Sequence, residues 1–380
     1  MHNLRRMAHY VYQRKDWPQF YWDNEVLVLK LSDVRNKQGR LLGKMENLGF
    51  DLQNEAMLKT LSADAVHSSQ IEGEYYNPEE VRSSVARKLG MEFAGMVHSN
   101  RFVDGVAEVT VDATKNADVP LTKERLCAWH AALFPTGKSG MFSITVGDYR
   151  KDDKGPMQVV SGAMGLERVH FEAPQALLLQ TEMNKFLNWF NSDVPLDGVL
   201  KAAVAHFWFV TLHPFDDGNG RLARAIADMQ LAKSENVNQR FYSMSTQLLA
   251  DRKDYYKQLE LAQKGDLDLT AWMVWFLDCL HRTLNNTEHS LSMVLTKAKF
   301  WEKHQQTVFN KRQVDMLNKL LDNFNGKLTT SKWAKMQKCS QDTALRDVQD
   351  LVEKNVLEKE NAGGRSTSYH VKLDETGKKT

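Results

Sequence analysis

Apolar residues recur at helical spacing through most of the chain, as in Leu178, Met183, Phe186, Leu187 and Phe190, and long alternation with a period of two is scarce. That spacing lines one face of a helix and predicts a mainly α protein. The first stretch carries Trp17, Phe20, Trp22, Val26, Leu27, Leu29 and Val34, then a run from Asp51 to about Ser69 that reads as one helix ending at Gly73. From about Asn100 to His281 amphipathic helical patterns follow one another. A Gly-rich stretch from Gly147 to Pro174 interrupts them, and within it Val159, Val160, Val169 and Phe171 predict a short hairpin, the one clear β signal of that block. Beyond Val308 the chain turns Lys- and Asn-rich and gives three short helices, Val314 to Leu321, Ser331 to Met336 and Ser340 to Glu353. A Gly363-Gly364 turn then leads to Tyr369, His370 and Val371, an order similar to that of a winged helix. Thr329 or Thr330 and Ser340 serve as N-caps for the last two helices. These shifts predict an N-terminal helical region over 1–95, a helical core over 96–295 and a C-terminal block over 308–373.

Charge changes this picture little: 50 basic and 48 acidic residues are interleaved along 380 positions, so no global field favours nucleic acid or a membrane surface. Only Cys127, Cys279 and Cys339 occur, too few and too scattered for a disulfide framework or a paired-cysteine metal site. The first residues are basic without an apolar stretch behind them, and no run approaches membrane-spanning length. The expectation is a cytoplasmic protein with no membrane contact.

One segment, Ala205 to Ala232, reads as helix, Gly-rich turn, helix. Its first helix must stop before Pro214, and the turn Asp217-Gly218-Asn219-Gly220 starts the second. Backbone N–H groups at such a helix start are unpaired, and the bare glycines let an anion approach closely. Arg221 and Arg224 follow three apart on one face, able to clamp neighbouring phosphates bidentately. Asp217 is a hard oxygen ligand suited to Mg²⁺, and His213 is a neutral imidazole available as general base. Together they read as a nucleotide phosphate site.

Residues His213-Pro214-Phe215-Asp216-Asp217-Gly218-Asn219-Gly220-Arg221-Leu222-Ala223-Arg224 resemble the signature of the Fic family, H-x-F-x-[D/E]-G-N-G-R-x-x-R, at every fixed position. The resemblance extends to Gly147, Tyr149 and Arg150 before the predicted hairpin, similar to the family's target-docking flap. It extends also to Asp254-Tyr255-Tyr256 through Gln263, similar to the family's adenine-side helix. It implies a Fic-fold helical core and transfer of AMP from ATP, with Mg²⁺, onto a Ser, Thr or Tyr hydroxyl of a target protein, self-modification included. His213 would be the base and Asp217 the metal ligand. Gly218, Asn219 and Gly220 would hold the α-phosphate, Arg221 the α/β region and Arg224 the γ-phosphate. Phe215 would pack the loop, and Tyr256 and Gln263 would face the nucleotide. Phosphotransferase members carry Lys where Gly220 stands, which favours adenylylation. Ser68-Ser69-Gln70-Ile71-Glu72-Gly73 is similar to the family's inhibitory motif, in which Glu72 would occupy Arg224 and, in some members, help remove AMP.

Other residues receive plainer readings. His206 is structural, Asp216 is solvated, and Trp272, Trp275 and Phe276 belong to the core. Gly137-Lys138-Ser139 lacks the upstream glycine of a P-loop, and Gly162 with Gly165 lacks a nucleotide fingerprint. The last C-terminal helix sets Asp342, Asp347, Asp350 and Glu353 against Arg346 and Lys354, poor for phosphate contact, although Lys332, Lys335, Lys338 and Arg365 restore some basic surface. DNA binding and protein docking or dimerisation both stay open for this block. A DNA-binding regulator with a nucleotide-sensing core is the rival reading, and transfer from another nucleotide or phosphoryl donor a second one.

Overall fold

A computed structural model describes residues 10–46, 50–92, 95–153, 155–162, 166, 168–235, 239–321, 324, 326–360 and 367–373. Contacts divide the chain into two units, Met1–Thr287 and Glu288–Thr380.

In the first unit a 3-10 turn at Val11–Gln13 precedes α1 (Asn24–Glu46), α2 (Phe50–Ile71), α3 (Pro78–Lys88), α4 (Arg101–Lys115) and α5 (Lys123–Leu133). Two antiparallel ladders follow, β1 (Lys138–Ser139) with β2 (Phe142–Ser143) and β3 (Gln158–Ser161) with β4 (Arg168–Glu172). Then come α6 (Ala176–Asn191), α7 (Gly198–Leu212), α8 (Asn219–Ser234), α9 (Met244–Ala250), α10 (Arg252–Gln263) and α11 (Thr270–Lys303), whose residues from Glu288 onward fall in the second unit. Helix starts are set by side-chain caps: Asn77, Asn100, Thr122 and Asp197 each accept from a backbone N–H of the first turn of α3, α4, α5 and α7.

α7 is buried at every position from Val199 to Leu212. A helix apolar all round belongs at the centre of a core, and its one lysine, Lys201, reaches out to donate to Ser192 O at 2.8 Å. α8 packs along α7, with α6 also against α7 and α2, α4 and α5 against α8. The segment before α1 joins this core: the rings of Trp17 and Phe20 meet Trp208 edge-on at 6.1 and 5.5 Å, and Tyr21 bonds through its backbone to Leu267 and Leu269. Trp272, Trp275 and Phe276 are core residues, as their spacing predicts.

The run read as a helix from Asp51 is α2, and the hairpin is β3–β4, pairing Val159 with Phe171 and Val160 with Val169. It is not the block's one β element, because Lys138–Ser143 forms a second ladder. Two-residue strands are too short to show a period. Gly165 lies outside the described residues.

In the second unit α12 (Lys311–Leu321), α13 (Thr330–Gln337) and α14 (Gln341–Glu353) are followed by β5 (Leu357–Lys359) antiparallel to β6 (Tyr369–Val371). Met316, Leu317, Trp333, Val348 and Leu351 form its centre. Thr329 and Ser340 cap α13 and α14. Asp347 takes a two-point bond from Arg312 at 2.7 and 3.0 Å, and Asp350 takes Lys354 and Gln313. Those contacts spend Arg312 and Lys354 on carboxylates inside the unit, and Asp342 stays exposed on α14, which gives no support to DNA contact by this helix. Gly363, Gly364 and Arg365 lie outside the described residues. Among the described residues no helix is long and apolar enough to cross a membrane.

Candidate active site

Pro214 ends α7 at Leu212, and His213 takes a left-handed conformation with φ 50° and ψ 56°. A non-glycine residue stays there only when its surroundings hold it, and several groups do. Arg150, 3% exposed, donates from Nε to His213 O at 2.8 Å and from its backbone N–H to Pro214 O at 2.9 Å. Asn219 staples the loop from below, accepting from Phe215 N at 2.9 Å and donating to Phe215 O at 2.7 Å. Phe215 is fully buried and stacks on His130 with ring centres 4.3 Å apart.

This frame sets the tautomer of His213. Nδ1 lies 3.2 Å from Val210 O. A carbonyl only accepts, so Nδ1 carries the proton and Nε2 keeps its lone pair. Burial lowers the imidazole pKa to about 4, against the Val210 hydrogen bond and the nearby Asp217 and Glu72 carboxylates, which raise it. The ring is neutral at physiological pH.

Intrahelical bonding in α8 begins with Leu222 N–H to Gly218 O at 3.0 Å, so the N–H groups of Asn219, Gly220 and Arg221 have no acceptor within the helix. Gly218 caps this start at φ 79°, and a Cβ there would fall 2.8 Å from Phe134 Cε2. Gly218→Ala is therefore expected to cost about 1–3 kcal/mol, read as a lower urea midpoint at unchanged slope. Asp217 accepts from Gly218 N at 2.6 Å with one oxygen and from the Ser139 hydroxyl with the other. Among the described residues no group of three or more His, Cys, Asp or Glu could hold a metal alone. A single carboxylate beside a phosphate cradle fits Mg²⁺, which keeps its waters and takes ligands from substrate phosphates.

Arg221 and Arg224 lie within a buried helix, 4% and 2% exposed, so each needs an anionic partner. The partners come from the end of α2. Arg224 Nη1 meets Glu72 Oε1 at 2.8 Å, an ion pair without hydrogen-bond alignment, while Nε and Nη2 donate to Ser68 Oγ and Ser68 O at 2.9 and 2.8 Å. Arg221 Nη1 pairs with Glu74 Oε2 at 2.6 Å. Gly220 makes room for the first pair, since a Cβ there would lie 2.2 Å from Glu72 Oε1.

A cavity of about 700 Å³ opens beside this pair, lined by Glu72, His213, Gly220, Tyr256 and Gln263 with the β3–β4 hairpin on its far side. Tyr256 does not stand free in it: its hydroxyl donates to Glu72 Oε2 at 3.0 Å. Gln263 reaches back to Thr211 Oγ1 at 3.5 Å. Glu260 ties the hairpin to α10, accepting from Lys264 at 2.6 Å and pairing with His170 and Arg168 at 2.8 and 3.2 Å. Burial opposes its ionisation, but the contacts with Lys264 and His170 outweigh it and hold the carboxyl at about 2.

The structure thus gathers His213, Asp217, Gly218, Asn219, Gly220, Arg221, Arg224, Ser68 and Glu72 at one locus, with Tyr256 and Gln263 on its wall. His206, read as structural, is buried and bonded to Tyr255 OH at 2.8 Å. Asp216 is not simply solvated: half-buried, it accepts from Thr145 N at 2.7 Å and anchors the irregular segment following β2. Glu74, Ser139 and Glu260 escaped the sequence reading. Glu74 left one signal, a second carboxylate just past the Gly73 turn; the other two left none, because their partners are remote in sequence.

Residues 120–231 match a family model described as Fic/DOC family, and residues 10–91 match one described as a domain of unknown function, DUF4172. Protein adenylyltransferase Fic of Nematostella vectensis is 34% identical over 111 residues, covering 28% of this chain and 24% of that protein. Its counterpart in Aedes aegypti is 33% identical over 105 residues, 27% of this chain and 19% of that protein. The chain spans a quarter or less of the length of these relatives. Among solved structures, a Fic family protein from Desulfovibrio desulfuricans superposes with a TM-score of 0.52 at 19% identity, over 95% of this chain and 98% of that one. Fic-1 of C. elegans gives a TM-score of 0.50 at 19% identity, over 71% of this chain and 75% of that one. These two likenesses concern the fold.

Proposed function

We propose, from the match of residues 120–231 to the Fic/DOC family model, that this chain transfers AMP from ATP onto a Ser, Thr or Tyr hydroxyl of a target protein, itself included, and that Glu72 restrains the transfer. The observation that carries this reading is His213: neutral, its Nδ1 spent on Val210, its ring on the same cavity as Gly220 and the Glu72 carboxylate. His213 Nε2 takes the proton of the hydroxyl, whose oxygen attacks the α-phosphorus in line. The bond from that phosphorus to the bridging oxygen breaks, and pyrophosphate leaves. Gly218, Asn219 and Gly220 hold the α-phosphate, the last two through N–H groups that have no acceptor within the helix, Arg221 the α/β region and Arg224 the γ-phosphate. Asp217 would hold Mg²⁺, which when bound neutralises charge building on the leaving phosphates. Tyr256 and Gln263, on the wall of the same cavity, serve the adenine side. A core that only sensed nucleotide would need no such base.

The donor bond is tested by incubating the Glu72→Gly variant with Mg²⁺ and ATP labelled at either the α- or the γ-phosphate. Label is expected in protein from the α position alone. Incorporation from the γ position would replace adenylylation with phosphoryl transfer.

A further inference from the structure

We propose that Glu74 is a second internal competitor for the donor, shielding Arg221 from the inner phosphates as Glu72 shields Arg224 from the outermost one. The inference rests on the nucleotide-transfer reading above and adds a residue to its control.

The two carboxylates are delivered by one short stretch. α2 ends at Ile71, Gly73 turns the chain at φ 87°, and the backbone N–H groups of Glu72 and Glu74 both return to Ser69 O at 3.0 Å. The turn sends Glu72 to one arginine and Glu74 to the next one along α8. Arg221 is held from both sides, by the Phe134 ring 4.9 Å from its guanidinium carbon and by Glu74 at 2.6 Å. Its Nε, however, is buried with no acceptor. A carboxylate on Nη1 leaves that donor unmet, and a phosphate group, with more oxygens to offer, answers it better.

The pair is also built to open. Glu74 retains 35% of its side-chain exposure against 4% for Arg221, so the acid can swing to water while the arginine stays. Tyr76 OH donates to the same Glu74 oxygen at 2.7 Å and steadies the closed position. Of the two arginines Glu72 pairs with Arg224 alone, so its charge opposes a ligand that carries a third phosphate. Glu74 opposes any ligand that places its inner phosphates on Arg221, with or without a third.

Calorimetric binding of Mg²⁺-ADP and Mg²⁺-ATP to the full chain separates these roles. Glu74→Gln, which keeps shape and removes charge, is expected to tighten ADP and ATP alike by about tenfold, the scale of one charge-assisted hydrogen bond. Glu72→Gln is expected to tighten ATP by a similar factor and leave ADP within about twofold. Tyr76→Phe preserves the ion pair but loosens it, and is expected to tighten both nucleotides about two- to threefold. It decides the matter if Glu74→Gln fails to fold. Unchanged ADP binding in Glu74→Gln, or in Tyr76→Phe where that variant decides, overturns the proposal. If Glu72→Gln tightens ATP in that same experiment, the transfer reading survives it. Absence of nucleotide binding in every variant removes both.

Discussion

Glu72→Gly is expected to raise incorporation of α-phosphate label into protein by roughly a hundredfold over the unaltered chain. Arg224 is 2% exposed and has two of its three nitrogens committed to Ser68, so the guanidinium cannot turn away from the site to meet a γ-phosphate elsewhere. The acid must leave instead. Taking a carboxylate from a buried arginine costs about 3 kcal/mol or more when nothing replaces it. A donor that must supply this from its own binding energy sees its productive affinity reduced by the same factor. Removing Glu72 moves that cost from the liganded to the free protein. Two signs must therefore appear together: faster labelling, and a free protein with a lower melting temperature that Mg²⁺-ATP restores more than it does for the unaltered chain. Labelling within about twofold of the unaltered chain would sink the autoinhibitory reading, whatever happened to stability.

What the sequence disclosed follows from the range of each interaction. The helices and the anion cradle are local: α7 is apolar at almost every position, and the turn Asp217–Gly220 with arginines at 221 and 224 carries its geometry in a dozen residues. The order of the Glu72 motif ahead of that cradle was readable for the same reason. Glu74 was half visible, as a carboxylate on the far side of a glycine turn, but its partner 147 positions away was not. Ser139 and Glu260 join residues 78 and 90 positions distant, and a hydroxyl in a two-residue strand carries no periodic mark. Asp216 was misjudged because its acceptor role depends on where Thr145 is brought by the intervening ladder. Tyr256 was placed on the nucleotide's wall but its bond to Glu72 was not foreseen, since a helix pattern fixes a face and not what stands opposite.

The second large effect concerns the base. In the Glu72→Gly background, His213→Ala and His213→Asn are each expected to lower the rate of labelling by about 10²–10⁴-fold while leaving Mg²⁺-ATP affinity within a few-fold. Two substitutions are needed because His213 holds φ 50°. Alanine is strained there and disturbs the loop, whereas asparagine tolerates the left-handed region and keeps a polar side chain. If His213 acts by taking a proton, both variants lose the reaction equally; if it merely holds the loop, asparagine recovers it. The pH dependence gives an independent reading. Burial lowers this imidazole to about 4, and removing Glu72 withdraws one of the charges that raise it. The proton-accepting form therefore persists as pH falls, and the acid limb of kcat/KM lies well below the ordinary imidazole range near 6.5, provided the fold persists. An acid limb centred near 6.5 in the Glu72→Gly variant, or labelling that survives in His213→Asn, would assign the proton transfer to another group.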